Sequence, residues 1–180
     1  MTCIAGIEHE GAVYLCGDSA AANGWDIYTE TGPKVFIVGE FVIGYTSSFR
    51  MGQLLQYQLS VKPREEMSDR AYMITVFAEA VRSLLKDHGY AHIENNEETG
   101  GVFLVGYRGH LYEVQSNFAV LRRADGYAAV GCGQSYALGA LAVLDKSDPQ
   151  TALRQALEAA EHFSNGVRGP FNCVTLKPES

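Results

Sequence analysis

The chain has 180 residues, of which 47% are hydrophobic and 19% charged, a composition typical of a globular protein and not of a disordered chain. Its 14 basic and 21 acidic residues give a formal net charge of −7, which argues against nucleic acid and anionic membranes as partners because both attract basic patches. No apolar run reaches the roughly 18 residues of a membrane-spanning helix. The first residues also lack the basic flank and apolar core of a signal peptide. We therefore expect one soluble, cytoplasmic domain over residues 1–180.

The spacing of cysteines and histidines indicates neither a metal site nor a disulfide framework. The four cysteines, Cys3, Cys16, Cys132 and Cys173, are far apart in apolar surroundings, which in a chain of this size is typical of buried thiols. The five histidines are scattered, and the chain holds no GxxxxGK[ST], GxGxxG, GxSxG or HExxH motif. We expect four buried thiols, no metal and no cofactor.

The first 45 residues predict strands. Apolar runs at 3–7 and 13–16 are joined by a short charged connection, and a second pair of runs at 35–38 and 41–45 surrounds Gly39-Glu40. Between the pairs, the less regular stretch 20–33 holds turn signals at Asn23-Gly24 and Thr31-Gly32-Pro33. Because these strands are apolar on both faces, we expect a sheet that is covered on both sides.

Helices and further strands follow. Ser48 is suited to cap a first helix, which Lys62-Pro63 would end. A second helix, with Gly89 after its end, is predicted from the apolar stripe Met73, Val76, Phe77, Ala80, Val81 and Leu84. Residues 91–100 are polar and acidic, which predicts a mobile loop. The remaining predicted elements are strands at 102–107, 110–114, 118–121, 128–130 and 173–176 and helices at 134–144 and from Pro149, capped by Asp148.

The order of these elements predicts the fold class. The chain runs through strands, two helices, strands, two helices and a last strand, and the short connections imply antiparallel pairing. Strands that are apolar on both faces need two covered surfaces. An α+β fold satisfies both conditions: a four-layer αββα sandwich of two antiparallel sheets, each flanked by a helix pair.

Thr2 is the strongest candidate nucleophile. Initiator methionine is generally removed before a small residue, which would leave Thr2 with a free α-amine. The ordinary pKa of an α-amine is about 7.7–8.0. The amine could then accept the proton of the same residue's hydroxyl, so that one residue supplies both nucleophile and base. A nearby ammonium would lower the pKa of the amine, and a carboxylate would hold that ammonium in place. Asp18 and Lys34 are the candidates for these two roles.

The chain resembles the N-terminal nucleophile (Ntn) hydrolases, and among them the proteasome β-subunits and the HslV peptidase. Thr2, Gly17-Asp18 and Lys34-Val35 match the spacing of that family's catalytic threonine, aspartate and lysine. The segment 41–48 resembles the family's oxyanion turn, and 129–137 resembles its later turn into a helix. This resemblance extends over nearly the whole chain. It implies the αββα Ntn fold, with Thr2, Asp18 and Lys34 as catalytic residues.

The chain departs from the family pattern at several supporting positions. The oxyanion turn carries Ser47 or Ser48 where glycine is usual, and its backbone donors survive that change where the local backbone angles tolerate a side chain. Cys132 stands at the position of the family's supporting serine, and a thiol is a poorer hydrogen-bond partner than a hydroxyl. The family's aspartate and serine near the C-terminus align with Asn165 and Arg168. Because these residues only support the catalytic ones, we expect the departures to affect the rate and regulation of the reaction more than the reaction itself.

The resemblance implies a threonine peptidase that cleaves peptide bonds in peptides or proteins, with Thr2 acting after Met1 removal. It further implies a homo-oligomeric ring and an ATP-dependent unfoldase as partners. Two alternatives stay open. The first is an Ntn-fold acylase acting on small amides, and the second is a catalytically inactive proteasome-like assembly subunit, which retention of Met1 would favour because an acylated nitrogen is not a base.

Overall fold

A computed structural model describes residues 1–22 and 25–177 of the chain. The predicted turn at Asn23-Gly24 lies outside this range. Among the described residues no helix is long and apolar enough to cross a membrane. The main strands are β1(Cys3–His9), β2(Ala12–Gly17), β5(Val35–Val38), β6(Phe41–Tyr45), β9(Phe103–Tyr107), β10(His110–Val114), β11(Val120–Leu121), β12(Tyr127–Gly131) and β13(Asn172–Leu176). The helices are α1(Phe49–Gln58), α2(Asp69–Tyr72), a π-helical turn (Met73–Phe77), α3(Ala78–Asp87), α4(Gln134–Val143) and α5(Pro149–Phe163).

Two antiparallel sheets form the inner layers. One has the strand order β12-β1-β2-β13 and the other the order β11-β10-β9-β6-β5. In β1, Cys3 and Ala5 pack toward one side of the sheet while Ile4 packs toward the other, because successive strand residues alternate between faces. An apolar cluster that includes Ile4, Leu15 and Val42 fills the space between the two sheets.

Helices cover the outer face of each sheet. The five-stranded sheet packs against α1, α2, the π turn and α3 through side chains such as Leu54, Phe77 and Val81. The four-stranded sheet packs against α4 and α5 through Ala137 and Leu153. The chain therefore forms the predicted four-layer αββα sandwich, an α+β fold.

The predicted helix caps agree with the structure, but the second helix differs in its phase. The Ser48 and Asp148 side chains accept hydrogen bonds from Arg50 and Thr151 N–H groups at the starts of α1 and α5. The second helical segment begins at Asp69, four residues before the predicted stripe, and contains the π turn. A π turn holds one more residue per turn than an α-helix. Leu85 is accordingly fully buried, whereas the neighbouring Leu84 is only half-buried.

Two predicted irregular segments form hairpins. The predicted loop at 91–100 contains β7(His92–Glu94) paired with β8(Glu97–Thr99). These strands are exposed or half-buried, so they lack the apolar alternation that reveals a strand in a sequence. Within the predicted irregular stretch 20–33, β3(Ala20–Ala22) pairs with β4(Ile27–Thr29). Conversely, the predicted strand 118–121 is reduced to β11, and Phe118 has a positive φ of 65°.

The prediction of four buried thiols is wrong. Cys16 and Cys173 form a disulfide across the neighbouring strands β2 and β13, where they lie directly opposite each other. Cys3 is a buried free thiol, and Cys132 is an exposed free thiol. The bonded pair is 157 residues apart in the chain, and only the strand register brings the two residues together.

Candidate active site

The candidate nucleophile, Thr2, lies immediately before β1. Thr2 is only 6% exposed. Its carbonyl oxygen accepts a hydrogen bond of 3.4 Å from the backbone N–H of Gly133. Gly131 approaches so closely that a Cβ at this position would lie 2.2 Å from the Thr2 carbonyl oxygen, and its φ of +97° favours glycine. The end of β12 thus fixes the backbone of Thr2.

A buried ion pair lies beside the Thr2 hydroxyl. Lys34, which directly precedes β5, places Nζ 3.0 Å from Thr2 Oγ1 and 3.0 Å from Asp18 Oδ1. Its third contact is the Ala20 carbonyl oxygen, at 2.7 Å. An ammonium has three protons to donate, so these three acceptors satisfy Lys34 completely. The structure therefore brings Thr2, Asp18 and Lys34 together as the sequence predicts.

Backbone N–H groups from three segments hold the Asp18 carboxylate. Cys3 N donates to Oδ1 at 2.9 Å, and Ala20 N donates to Oδ2 at 2.9 Å. Arg168 N also donates to Oδ2, at 3.3 Å. Asp18 is fully buried, and these backbone groups supply the hydrogen bonds that a buried polar group requires. The carboxylate consequently joins the start of β1, the loop after β2 and the loop before β13.

Burial acts on both the lysine and the neighbouring thiol. Lys34 is 1% exposed, and loss of hydration lowers its pKa below the usual 10.5, although Asp18 opposes that change. Burial likewise raises the pKa of the Cys3 thiol to about 12, with Asp18 as the second cause. A lysine of lowered pKa beside a hydroxyl can exchange a proton more readily than an exposed lysine can.

The turn that contains the two serines forms the opposite wall of the site. A cavity of about 130 Å³ is lined by Thr2, Lys34, Ser47, Ser48 and other residues. Ser47 adopts a positive φ of 67°, and its Oγ accepts a hydrogen bond of 3.1 Å from Val102 N. The Ser48 N–H donates to the Thr46 carbonyl oxygen at 2.7 Å. The positive φ at this position favours glycine, and the hydrogen bond from Val102 to the Ser47 side chain stabilises the turn with serine in place of glycine.

Cys132 contacts the backbone nitrogen of the candidate nucleophile. Thr2 N donates to Cys132 Sγ at 3.2 Å, and the Thr2 side-chain hydroxyl donates to the carbonyl oxygen of Met1. Cys132 Sγ also lies 3.6 Å from Ser164 Oγ. Sequence reasoning missed Ser164. Its one signal was its position next to Asn165 in the segment that aligns with the family's C-terminal residues.

The two predicted supporting residues near the C-terminus both lie at the surface. The Asn165 side chain is exposed to solvent. Arg168 is exposed as well, and it contributes through its backbone: its N–H binds Asp18, and its carbonyl oxygen accepts from Ser19 N at 2.8 Å. Within residues 1–22 and 25–177, no three His, Cys, Asp or Glu side chains are placed to hold a metal ion.

Comparison with known proteins identifies structural neighbours. No protein-family model matches the chain, and no curated protein sequence matches it. Thiobacillus denitrificans BPH in complex with epoxomicin superimposes with a TM-score of 0.81 at 19% identity, over 99% of this chain and 100% of that one. HslV from Trypanosoma brucei gives a TM-score of 0.70 at 19% identity, over 98% and 99% of the two chains.

A third neighbour agrees with these two. The Anbu (Gly-1) mutant from Hyphomicrobium sp. strain MC1 gives a TM-score of 0.69 at 14% identity, over 98% of this chain and 82% of that one. At these identities the likeness concerns the fold. Together with the two sheets and their helix pairs, it shows that the chain has the proteasome-like Ntn hydrolase fold.

Proposed function

We propose that the protein is a threonine-type Ntn hydrolase that cleaves peptide bonds. The observation that carries this proposal is the position of Lys34 Nζ, 3.0 Å from Thr2 Oγ1 and 3.0 Å from the buried carboxylate of Asp18. A hydroxyl in contact with a buried ammonium has an environment that stabilises an alkoxide. The likeness to HslV and BPH supports peptides as the substrate class.

The reaction begins after Met1 is removed. Thr2 Oγ attacks the carbonyl carbon of the substrate amide, and the α-amine of Thr2 takes the hydroxyl proton. Backbone N–H groups of the turn at Ser47 and Ser48 stabilise the oxyanion. To do so, the Ser48 N–H gives up its hydrogen bond to the Thr46 carbonyl oxygen and donates to the oxyanion instead. The α-ammonium then protonates the leaving amine as the C–N bond breaks. Water hydrolyses the resulting ester on Thr2, which releases the acid and restores the hydroxyl.

A second candidate function rests on Met1. While Met1 is attached, the Thr2 nitrogen is an amide that donates to Cys132, and the Thr2 hydroxyl donates to the Met1 carbonyl. Neither group can then take part in catalysis. A protein that keeps Met1 would be an inactive proteasome-like subunit. An acylase that acts on small amides would share the same chemistry with Met1 removed.

The likeness to HslV also supports a proposal about the assembly and location of the protein. We propose a cytoplasmic homo-oligomeric ring, by analogy with HslV, fed by an ATP-dependent unfoldase. Turnover of a small amide by the isolated chain, without ring formation, would instead favour the acylase. Size-exclusion chromatography with light scattering, coupled to an activity measurement on each fraction, separates these two cases.

Intact mass spectrometry tests the nucleophile directly. The purified protein is weighed before and after incubation with epoxomicin, the compound in the BPH complex. We expect a species without Met1 that gains one epoxomicin, mapped to Thr2 by peptide sequencing. Thr2→Ala should give no adduct, whereas Thr31→Ala, which changes an exposed threonine, should react like the unmodified protein. Retained Met1 without an adduct would refute catalysis and support the inactive subunit.

A further inference from the structure

A second cavity lies far from Thr2. It has a volume of about 270 Å³, between the start of α2 and the strands β10 and β11. β1 runs from the candidate site toward this region, where its Glu8 side chain contacts the cavity wall, about 20 Å along the strand. The residues that line the cavity include Arg70, Ile74, His110, Tyr112, Val120 and Arg122.

The charges around this cavity leave one cation without a counterion. Arg122 forms a two-pronged ion pair with Glu8, with N···O distances of 2.9 and 2.8 Å. Asp69, which also lines the cavity, lies 3.4 Å from Arg64. Arg70 is exposed, and no carboxylate in the described part of the chain lies within ion-pair distance of it. The cavity therefore has a surplus of one positive charge.

A polar atom in the wall also lacks a partner. His110 Nδ1 is buried without a hydrogen bond to any described residue, and the Glu8 carboxylate is 3.8 Å away. Buried polar atoms in folded proteins are usually hydrogen-bonded. Glu8 is already occupied by Arg122 and by the Leu111 N–H. Nδ1 is too enclosed for a ligand in the cavity to reach, so a ligand meets only the exposed part of the His110 ring.

The remaining walls are apolar or aromatic. Ile74 and Val120 supply aliphatic surface, and Tyr112 is almost fully buried beside them. A phosphate dianion does not suit one unpaired cation and such walls, whereas a singly charged group on an apolar body suits both. We propose that this cavity binds a small organic carboxylate, whose acid group contacts Arg70 and whose apolar part packs on Ile74, Tyr112 and Val120. The proposal is independent of the proposed peptidase function.

Ligand-observed saturation-transfer NMR on the full chain tests this proposal. The probe is N-acetylleucine, which has one carboxylate and an aliphatic side chain, and the matched neutral probe is N-acetylleucinamide. We expect saturable binding of the acid and at least about tenfold weaker binding of the amide, because only the acid can form a charge-assisted hydrogen bond with Arg70. Equal binding of the two probes, or no saturable binding of the acid, would overturn the proposal.

Variants locate the binding. Arg70→Ala should weaken binding of the acid at least about tenfold, and Ile74→Glu should abolish it by placing a carboxylate in the cavity. Both residues are exposed, so the fold should survive, and thermal unfolding checks this. Arg50→Ala changes an exposed arginine on α1 and should leave binding unchanged. Wild-type affinity in Arg70→Ala would refute the site. An equal loss in Arg50→Ala would refute it as well, since binding would then be non-specific.

Discussion

Replacement of Lys34 tests the buried ion pair on which the candidate site depends. Lys34→Met keeps a side chain of similar length but removes the ammonium and its three hydrogen bonds, to Thr2, Asp18 and Ala20. The Asp18 carboxylate then stays buried without a counterion. Because the same ammonium contacts the candidate nucleophile, one substitution perturbs both stability and reactivity.

The structure gives the size of the expected effect. Removal of one partner of a buried ion pair typically costs about 3–5 kcal/mol. Asp18 keeps its hydrogen bonds from the N–H groups of Cys3, Ala20 and Arg168, which favours the lower end of that range. We expect Lys34→Met to lower the free energy of unfolding by about 3 kcal/mol. For a chain of this length the loss corresponds to roughly 6–12 °C in Tm. Epoxomicin modification of Thr2 should also be lost.

Urea unfolding of a double-mutant cycle measures this coupling. Lys34→Met and Asp18→Asn are compared singly and together, and the double variant should be more stable than the sum of the single losses by at least about 2 kcal/mol. Lys62→Met, which removes an exposed lysine, should stay within about 0.5 kcal/mol of the unmodified protein. A loss below about 1 kcal/mol in Lys34→Met, or additive single effects, would refute the role assigned to the pair.

Three further predictions concern the surroundings of Thr2. Gly131→Ala should lower the free energy of unfolding by at least about 2 kcal/mol and slow epoxomicin modification, because the new Cβ meets the Thr2 carbonyl at a positive φ. Gly139→Ala, in open space on α4, should instead stabilise by up to about 1 kcal/mol, and urea unfolding that ranked the two variants the other way would contradict the geometry. Cys132→Ser should keep activity and resist inactivation by iodoacetamide, whereas the unmodified protein loses activity by alkylation of its exposed thiol; equal inactivation would place the reactive group elsewhere. The pKa of Cys3 is raised from 9.0 to about 12, so its contribution to stability is complete below pH 9 and is lost as the pH rises toward 12, at about 1.4 kcal/mol per pH unit. Cys3→Ala should show a shallower loss in alkaline unfolding titrations, and an unchanged slope would exclude this cause.

The strands and helices could be predicted because the sequence patterns that indicate them are local. A strand that is apolar on both faces, such as β1 or β6, indicates burial wherever it lies in the fold. The caps Ser48 and Asp148 act on N–H groups two or three residues away. The π turn was not predictable in this way, because no residue type in Met73–Phe77 marks it.

The candidate site was predictable only in part. Asp18 directly follows β2, and Thr2 and Lys34 directly precede β1 and β5, so the predicted strands already indicated where these three residues lie in the fold. The contributions of Arg168 and Ala20 come from backbone atoms, and a side-chain pattern carries no information about them. Ser164 faces Cys132 across a turn whose path depends on tertiary packing. The disulfide between Cys16 and Cys173 was not predictable either, because it depends on the register of β2 and β13.

The surroundings of Met1 bear on the proposed activity. Met1 lies against Gly166, where an added Cβ would come within 2.7 Å of the Met1 Cβ, so the absence of a side chain at 166 makes room for the methionine. The carbonyl oxygen of Met1 also accepts a hydrogen bond from the Thr2 hydroxyl. Removal of Met1 would free that hydroxyl, which already lies 3.0 Å from Lys34 Nζ, from this hydrogen bond and convert the nitrogen that contacts Cys132 from an amide into an amine. It would also open the space in front of Gly166, next to the new amine, where the leaving group of a substrate must take up its proton. Under the proposed function, loss of Met1 would therefore supply the nucleophile, the base and the room for the leaving group together, and for this reason the mass of the N-terminus distinguishes the proposed enzyme from the inactive subunit.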